Sequence, residues 1–219
     1  MEGTDVYLDI FVKAADADAV KAADMTLALD YDGAGQAYRE STYTFDLSSV
    51  KLTNTDGVKV LVAYFSATNT TKGVAKRLAN GIDADIYEIV PTVPYTSADL
   101  NYNNPDSRAN KEMNDPNARP AISGSVENME QYDIVFIGYP IWWGQAPKIM
   151  CTFMESYDFS GKTIVPFCTS GSSSIGSSAT NLEPLTNGAV WLPGIRFSGS
   201  ASQNTIMEWV RGLGLNLGK

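Results

Sequence analysis

Between an apolar run ending at Phe65 and a helical pattern beginning near Lys72, the chain places Ser66-Ala67-Thr68-Asn69-Thr70-Thr71. The chain has no histidine, and no cluster of metal-ligating residues stands out, so imidazole acid–base work is not on offer. Hydroxyls at a strand-to-helix junction suggest other chemistry. The first N–H groups of a helix have no partner within it, and the helix dipole adds partial positive charge there. With Ser66, Thr68, Thr70 and Thr71 beside them, they would cradle a phosphate with neutral donors. Asn69 suits a turn that needs a left-handed backbone angle. The competing reading is an ordinary helix cap with spare hydroxyls. Neither GxxxxGK[ST] nor GxGxxG is present, which removes two common phosphate-binding routes.

Two further loops carry unusual residues. "GYPIWWGQAP", Gly138 to Pro147, sets Trp142 and Trp143 side by side at a strand end, followed by Gly144. A flat aromatic ligand would stack on one of them; otherwise both are core or rim residues. "CTSGSSSIG", Cys168 to Gly176, is a Ser/Gly loop whose backbone could approach a planar polar ring closely. The three loops together describe a ligand with a phosphate at one end and a flat heteroaromatic ring at the other. Flavin mononucleotide (FMN) meets both requirements.

The elements that must position these loops alternate. "VKVLVAYFS" reads as a strand buried on both faces. In "TKGVAKRLANGI", Val74, Leu78 and Ile82 recur every four residues, opposite Lys72, Lys76 and Arg77, which predicts an amphipathic helix with Gly81 as its C-terminal cap. "ADIYEIVP", "YDIVFIGYP", "KTIVPFCTS" and "AVWLPGIRF" are the next four strands, the last weakened by Pro193 and Gly194. Pro147 is expected to open a helix carrying Ile149, Met150, Phe153, Met154 and Tyr157 on one face. A short helix is expected around Ser178 to Leu185, and a final one carries Ile206, Val210 and Leu213. Such alternation implies a parallel sheet with right-handed crossovers and helices on both faces. Ligands of such sheets bind outside the carboxyl ends of the strands, where all three loops lie.

The 219 residues suffice for one α/β domain plus an appendage. The net charge of −9 argues against nucleic acid as the main partner. No apolar run reaches the ~18 residues of a membrane span. Residues 1–57 hold eleven acids and four bases, whereas the rest is nearly balanced with fourteen and twelve. That shift divides the chain into a β-rich segment, 1–57, of unstated role, and an α/β domain, 58–219. In the first, "VYLDIFVKA", "MTLALDYD" and "STYTFDLSSVKL" alternate as half-buried strands do. Cys151 and Cys168 are expected to be buried thiols. The connection from about Pro91 to Glu130 is long for this architecture and carries Arg108, Lys111 and Arg119. It reads either as a lid beside the ligand or as a surface excursion with solvated charges.

From Lys59 to about Leu213 the chain resembles a flavodoxin. Ser66-Ala67-Thr68-Asn69-Thr70-Thr71 is similar to the flavodoxin phosphate signature T-x-T-G-x-T, with Ser for the first Thr and Asn for Gly. "YPIWWG", "SRANKE", "NARPAI" and "FCTSGSSSIGSS" resemble, more narrowly, flavodoxin-like proteins of anaerobic and gut bacteria. The resemblance implies a doubly wound five-stranded parallel sheet of order 2-1-3-4-5 with FMN as cofactor. Ser66, Thr68, Asn69, Thr70 and Thr71 would bind its phosphate. Pro140, Ile141, Trp142, Trp143 and Gly144 would line the isoalloxazine, with Gly144 the candidate contact to flavin N5. Thr169, Ser170, Gly171 and Gly176 would meet the ring edge or ribityl chain. No metal is implied. The implied function is electron transfer through bound flavin, exchanged with a redox partner protein or a small-molecule reductant or acceptor. The alternatives are an NAD(P)H-dependent FMN oxidoreductase and a flavin-free binding module. A phosphoacceptor receiver domain shares the topology, but the strand ends Phe65-Ser66 and Tyr139-Pro140 lack its acids. The expected compartment is the cytoplasm, or an extracytoplasmic one if the native N-terminus was trimmed.

Overall fold

The computed structural model describes residues 57–217 and, before them, the two-residue strands Thr26–Leu27 and Ser41–Thr42, which pair antiparallel. The other strands read into residues 1–57 lie outside the described residues. The chain divides into two units, Met1–Gly57 and Val58–Lys219.

The second unit is built on a parallel sheet. Its strands are β1 (Val60–Tyr64), β2 (Asp85–Glu88), β3 (Ile134–Pro140), β4 (Thr163–Thr169), β5 (Val190–Trp191) and β6 (Ile195–Phe197). The order is β2-β1-β3-β4-β6, with β5 also paired to β4. The fifth position is therefore filled by two short segments. Leu192, Pro193 and Gly194 separate them, because proline supplies no N–H to the ladder. A two-residue antiparallel ladder joins Val90–Pro91 to Ile122–Ser123.

Every residue of β1 is buried, as its uninterrupted apolar run requires of a strand covered on both sides. Side chains alternate between two layers. Leu61, Ala63, Val135 and Ile137 meet Ile149, Met150, Phe153 and Met154 of the helix Lys148–Glu155. Val60, Val62, Ile134 and Phe136 meet Val74, Leu78 and Ile82 of the helix Thr70–Ile82, and Ile206 and Val210 of the helix Gln203–Gly212. In chain order these helices are α1 (Thr70–Ile82), α2 (Arg108–Asn114), α3 (Lys148–Glu155) and α4 (Gln203–Gly212). Each fully buried Leu, Ile or Phe contributes about 1.5–3 kcal/mol of transfer free energy.

Four local expectations change. Gly81 is not the cap of α1; Asp83 is, in a left-handed conformation with φ 54, and its flank returns the Ala84 N–H to the Ala79 carbonyl. Gly81 lies within the helix where α4 crosses, and a β-carbon there would sit 2.3 Å from Gln203 Nε2 and 2.5 Å from Met207 Sδ. Close approach of two helices, not chain reversal, explains that glycine. Pro147 opens α3 as expected, as its N-cap, but Tyr157 lies beyond the helix end, where its hydroxyl accepts the Val126 N–H at 2.7 Å. Around Ser178 to Leu185 the chain forms two 3-10 turns, Gly176–Ser178 and Glu183–Leu185. Cys168 is buried, whereas Cys151 is only partly so, and both are free thiols.

Candidate cofactor-binding site

The parallel register brings the three loops to one edge. Tyr64 of β1 pairs with Gly138 of β3, and Pro140 of β3 with Thr169 of β4. Beyond the paired residues the Phe65 N–H still reaches the Gly138 carbonyl at 2.9 Å, and the Ile141 N–H reaches the Thr169 carbonyl at 3.0 Å. The chains that leave the sheet here are thus held together at their exit.

In the first loop Asn69 adopts φ 64, ψ 1 at the start of α1, and its side chain makes no cap bond. Nothing from Asn69 therefore competes for the free N–H groups of the first turn. Thr71 is buried, and its hydroxyl shares a 2.8 Å hydrogen bond with that of Thr169, fastening the first loop to the third. Thr68 and Thr70 lie hydroxyl to hydroxyl at 3.3 Å. The Ser66 hydroxyl is buried and has no hydrogen-bond partner. A buried hydroxyl without a partner is costly, so an orphan at a cleft wall marks a place for a polar ligand. Lys72, the nearest cation in sequence, bonds Glu88 at 2.6 Å. Glu88 also accepts the Tyr64 hydroxyl at 3.0 Å, and burial together with that bond pushes the phenol well above its usual range.

The second loop is a tight turn. The N–H groups of Trp142 and Gln145 each reach the other's carbonyl at 2.9 Å. Between them Trp143 has φ 48 and Gly144 φ 76. Positive φ at both central residues is the type I′ pattern. Glycine adopts it freely; a tryptophan does so only at a cost. The turn separates the two indoles. Trp142 packs edge-on against Phe65 at 5.6 Å and Tyr95 at 5.3 Å between ring centroids, as part of the cleft wall. Trp143 is 47% exposed.

In the third loop the Arg196 guanidinium donates to the Ser170 carbonyl at 2.7 Å and also to that of Gly171. Ser177 accepts from Gln145 at 3.1 Å, so the third loop is tied to the second as well.

The first two loops and part of the long connection line a cleft of about 400 Å³. Ser66, Ala67, Thr68, Thr71, Pro140, Ile141, Trp142 and Trp143 line it, together with Leu100, Tyr102 and Ala109. Asn69, Thr70, Gly144, Thr169, Ser170, Gly171 and Gly176 are outside that lining; Thr169 touches it through Thr71. Nothing in residue type or spacing marks Leu100, Tyr102 and Ala109 as cleft residues in the sequence, beyond a tyrosine in an otherwise polar stretch, "LNYNNPDS".

The long connection is ordered by its own bonds. Arg108 lies over the Tyr95 ring at 4.0 Å, bonds Glu112 at 2.6 Å and the Val93 carbonyl at 2.7 Å. Tyr95 donates its hydroxyl to Glu112 at 2.5 Å. Arg119 grips Glu155 with two nitrogens, at 2.6 and 2.8 Å, holding that carboxyl below the usual carboxylate range. Lys111 lies 3.3 Å from Asp106. The three cations thus each face an acid and do not form a free basic surface, while the same segment does supply a wall of the cleft.

A doubly wound parallel sheet with an uncharged, hydroxyl-lined cleft at its carboxyl edge defines a flavodoxin-like protein. Residues 59–213 match the flavodoxin family, and the chain belongs to it. The fold is shared with a solved protein from Bacteroides eggerthii assigned to the flavoproteins, at 49% identity over 72% of this chain and 99% of that one, TM-score 0.69. A similarly assigned protein from Bacteroides uniformis is 45% identical over 71% and 99%, TM-score 0.68. A flavoprotein from Lactobacillus acidophilus, solved in complex with FMN, shares the fold at 20% identity over 72% and 99%, TM-score 0.55. No curated protein matches the chain. No helix among the described residues is long and apolar enough to cross a membrane.

Proposed function

We propose that the cleft binds FMN and that the protein transfers electrons through it. The observation that carries this reading is the buried, partnerless Ser66 hydroxyl beside the uncapped first turn of α1. A dianionic phosphate satisfies both, and charge-assisted bonds to an anion are about twice as strong as neutral ones. Thr68, Asn69, Thr70 and Thr71 complete the cradle. Trp143, exposed on its tight turn, offers a stacking face, while Pro140, Ile141 and Trp142 form the apolar wall beneath. Gly144 is the residue whose peptide would meet flavin N5. Thr169, Ser170, Gly171 and Gly176 would border the ring edge or ribityl chain. When bound, FMN supplies one- and two-electron redox chemistry. The protein's part is to bind, to exclude water from one ring face and to set the surrounding charge. Residues 58–219 hold fourteen acids and twelve bases, so the α/β domain is close to neutral and brings little net charge to bear on the ring.

The test is spectroscopic. Purified protein should carry the absorbance of FMN, and protein stripped of it should rebind FMN more tightly than riboflavin, which lacks the phosphate. Equal affinity for the two contradicts the cradle. Rapid bleaching on adding NADH or NADPH would make the protein a reductase instead of a carrier.

A further inference from the structure

Among the described residues, the exposed large hydrophobics include only two aromatics, Trp143 and Tyr102. Both line the same cleft. Tyr102 is 72% exposed. It does not come from any of the three strand-end loops but from the connection between β2 and β3. An aromatic left open at the rim of a cleft is a surface waiting for a partner.

The backbone beneath Tyr102 is held deliberately. Asn110, buried on α2, donates its carboxamide to the Tyr102 carbonyl at 3.1 Å, the Asn104 carbonyl at 2.7 Å and the Ser107 hydroxyl at 3.1 Å. The Ala109 N–H closes on the Asp99 carbonyl at 3.0 Å. Further back, Arg108 bonds Glu112 within α2 and ties the helix to the Val93 carbonyl, and the Tyr95 ring it covers packs edge-on against Trp142. The strap carrying Tyr102 is therefore joined, through Arg108 and Tyr95, to Trp142 in the cleft wall.

We propose that Tyr102 covers the second face of the ring system stacked on Trp143, and that Asn110 is the positioning residue that holds it in place. This rests on the reading that the cleft takes a flavin. It makes the strap between β2 and β3, not a sheet-edge loop, the element that selects for a planar ligand. A carboxamide suits the task because it donates to several carbonyls of one turn at once, which a hydroxyl or carboxylate does not.

The experiment uses the full chain stripped of cofactor, titrated with FMN and with riboflavin and followed by flavin fluorescence. Tyr102 is exposed, so its replacement leaves the core intact. Tyr102→Ala should weaken both ligands alike, by about tenfold or more, because stacking does not involve the phosphate. Tyr102→Phe should bind like the wild type. Asn110→Ala should weaken binding in the wild-type background and add nothing in the Tyr102→Ala background. That non-additivity separates action through Tyr102 from a general loss of structure. Unchanged binding by Tyr102→Ala, or an equal loss from Asn110→Ala in both backgrounds, overturns the proposal while leaving FMN binding standing. A wild-type protein that binds neither flavin overturns both.

Discussion

Ser66→Ala should make the cofactor-free protein more stable and its FMN complex weaker. The Ser66 hydroxyl is buried without a partner. Such a group costs about 1–3 kcal/mol of desolvation, which alanine does not incur. A gain of ~1 kcal/mol raises the midpoint of a domain this size by about 2–4 °C. Bound phosphate would reverse the balance, because the wild-type hydroxyl then makes a bond to a charged group worth ~1.5–3 kcal/mol. Its loss corresponds to roughly 10- to 150-fold in dissociation constant. Riboflavin, having no phosphate, should bind both proteins equally. Thermal melts of the stripped protein and parallel titrations with the two flavins measure every quantity needed. A lower midpoint for Ser66→Ala would mean that the hydroxyl already has a partner. Parallel loss of FMN and riboflavin would place the phosphate elsewhere.

Trp143→Ala should weaken both flavins by about 5- to 150-fold and raise bound-flavin fluorescence, since stacking on one aromatic is worth ~1–3 kcal/mol; an unchanged titration would return the stacking role to Trp142. Asn69 holds φ 64. Asn69→Gly should therefore keep stability and FMN affinity, while Asn69→Val should cost about 1–2 kcal/mol in urea unfolding, and equal behaviour of the two would contradict the strained turn. Burial pushes the Cys168 thiol up to about 12. At pH 8 it should resist iodoacetamide until the protein unfolds, and prompt labelling of native protein would refute that burial. Because the unfolded thiol ionises at about 8.5, its contribution to stability is complete below that pH and is lost as pH rises toward 12.

The sheet was legible because β1, β3 and β4 are apolar almost without interruption, and α1 because Val74, Leu78 and Ile82 repeat at the helical period. The first two loops, with their hydroxyls and paired tryptophans, do line the cleft, whereas the Ser/Gly loop, whose composition suits any surface loop, stays outside the lining. What could not be read depends on contacts between distant parts. Gly81 has the chemistry of a cap, and only the crossing of α4 assigns it to packing. Trp142 and Trp143 are identical in composition and differ through a backbone angle. The stretch from Asn101 to Lys111 has no period at all; side chains such as Asn110 and Arg108 bind its carbonyls, and propensity is silent about such bonds.

The bond between Thr71 and Thr169 spans 98 residues, and that from the Lys59 N–H to the Asp133 carboxylate spans 74. Contacts so remote in sequence form late, since ring closure must precede any reward. At ribosomal speeds of about 5–20 residues per second, the hydroxyl of Thr71 waits some 5–20 s for its mate to be synthesised. A nascent chain can thus display the entire opening strand and its helix while remaining unable to load a nucleotide. On the proposed reading, loading of FMN is accordingly timed by the emergence of the fourth strand.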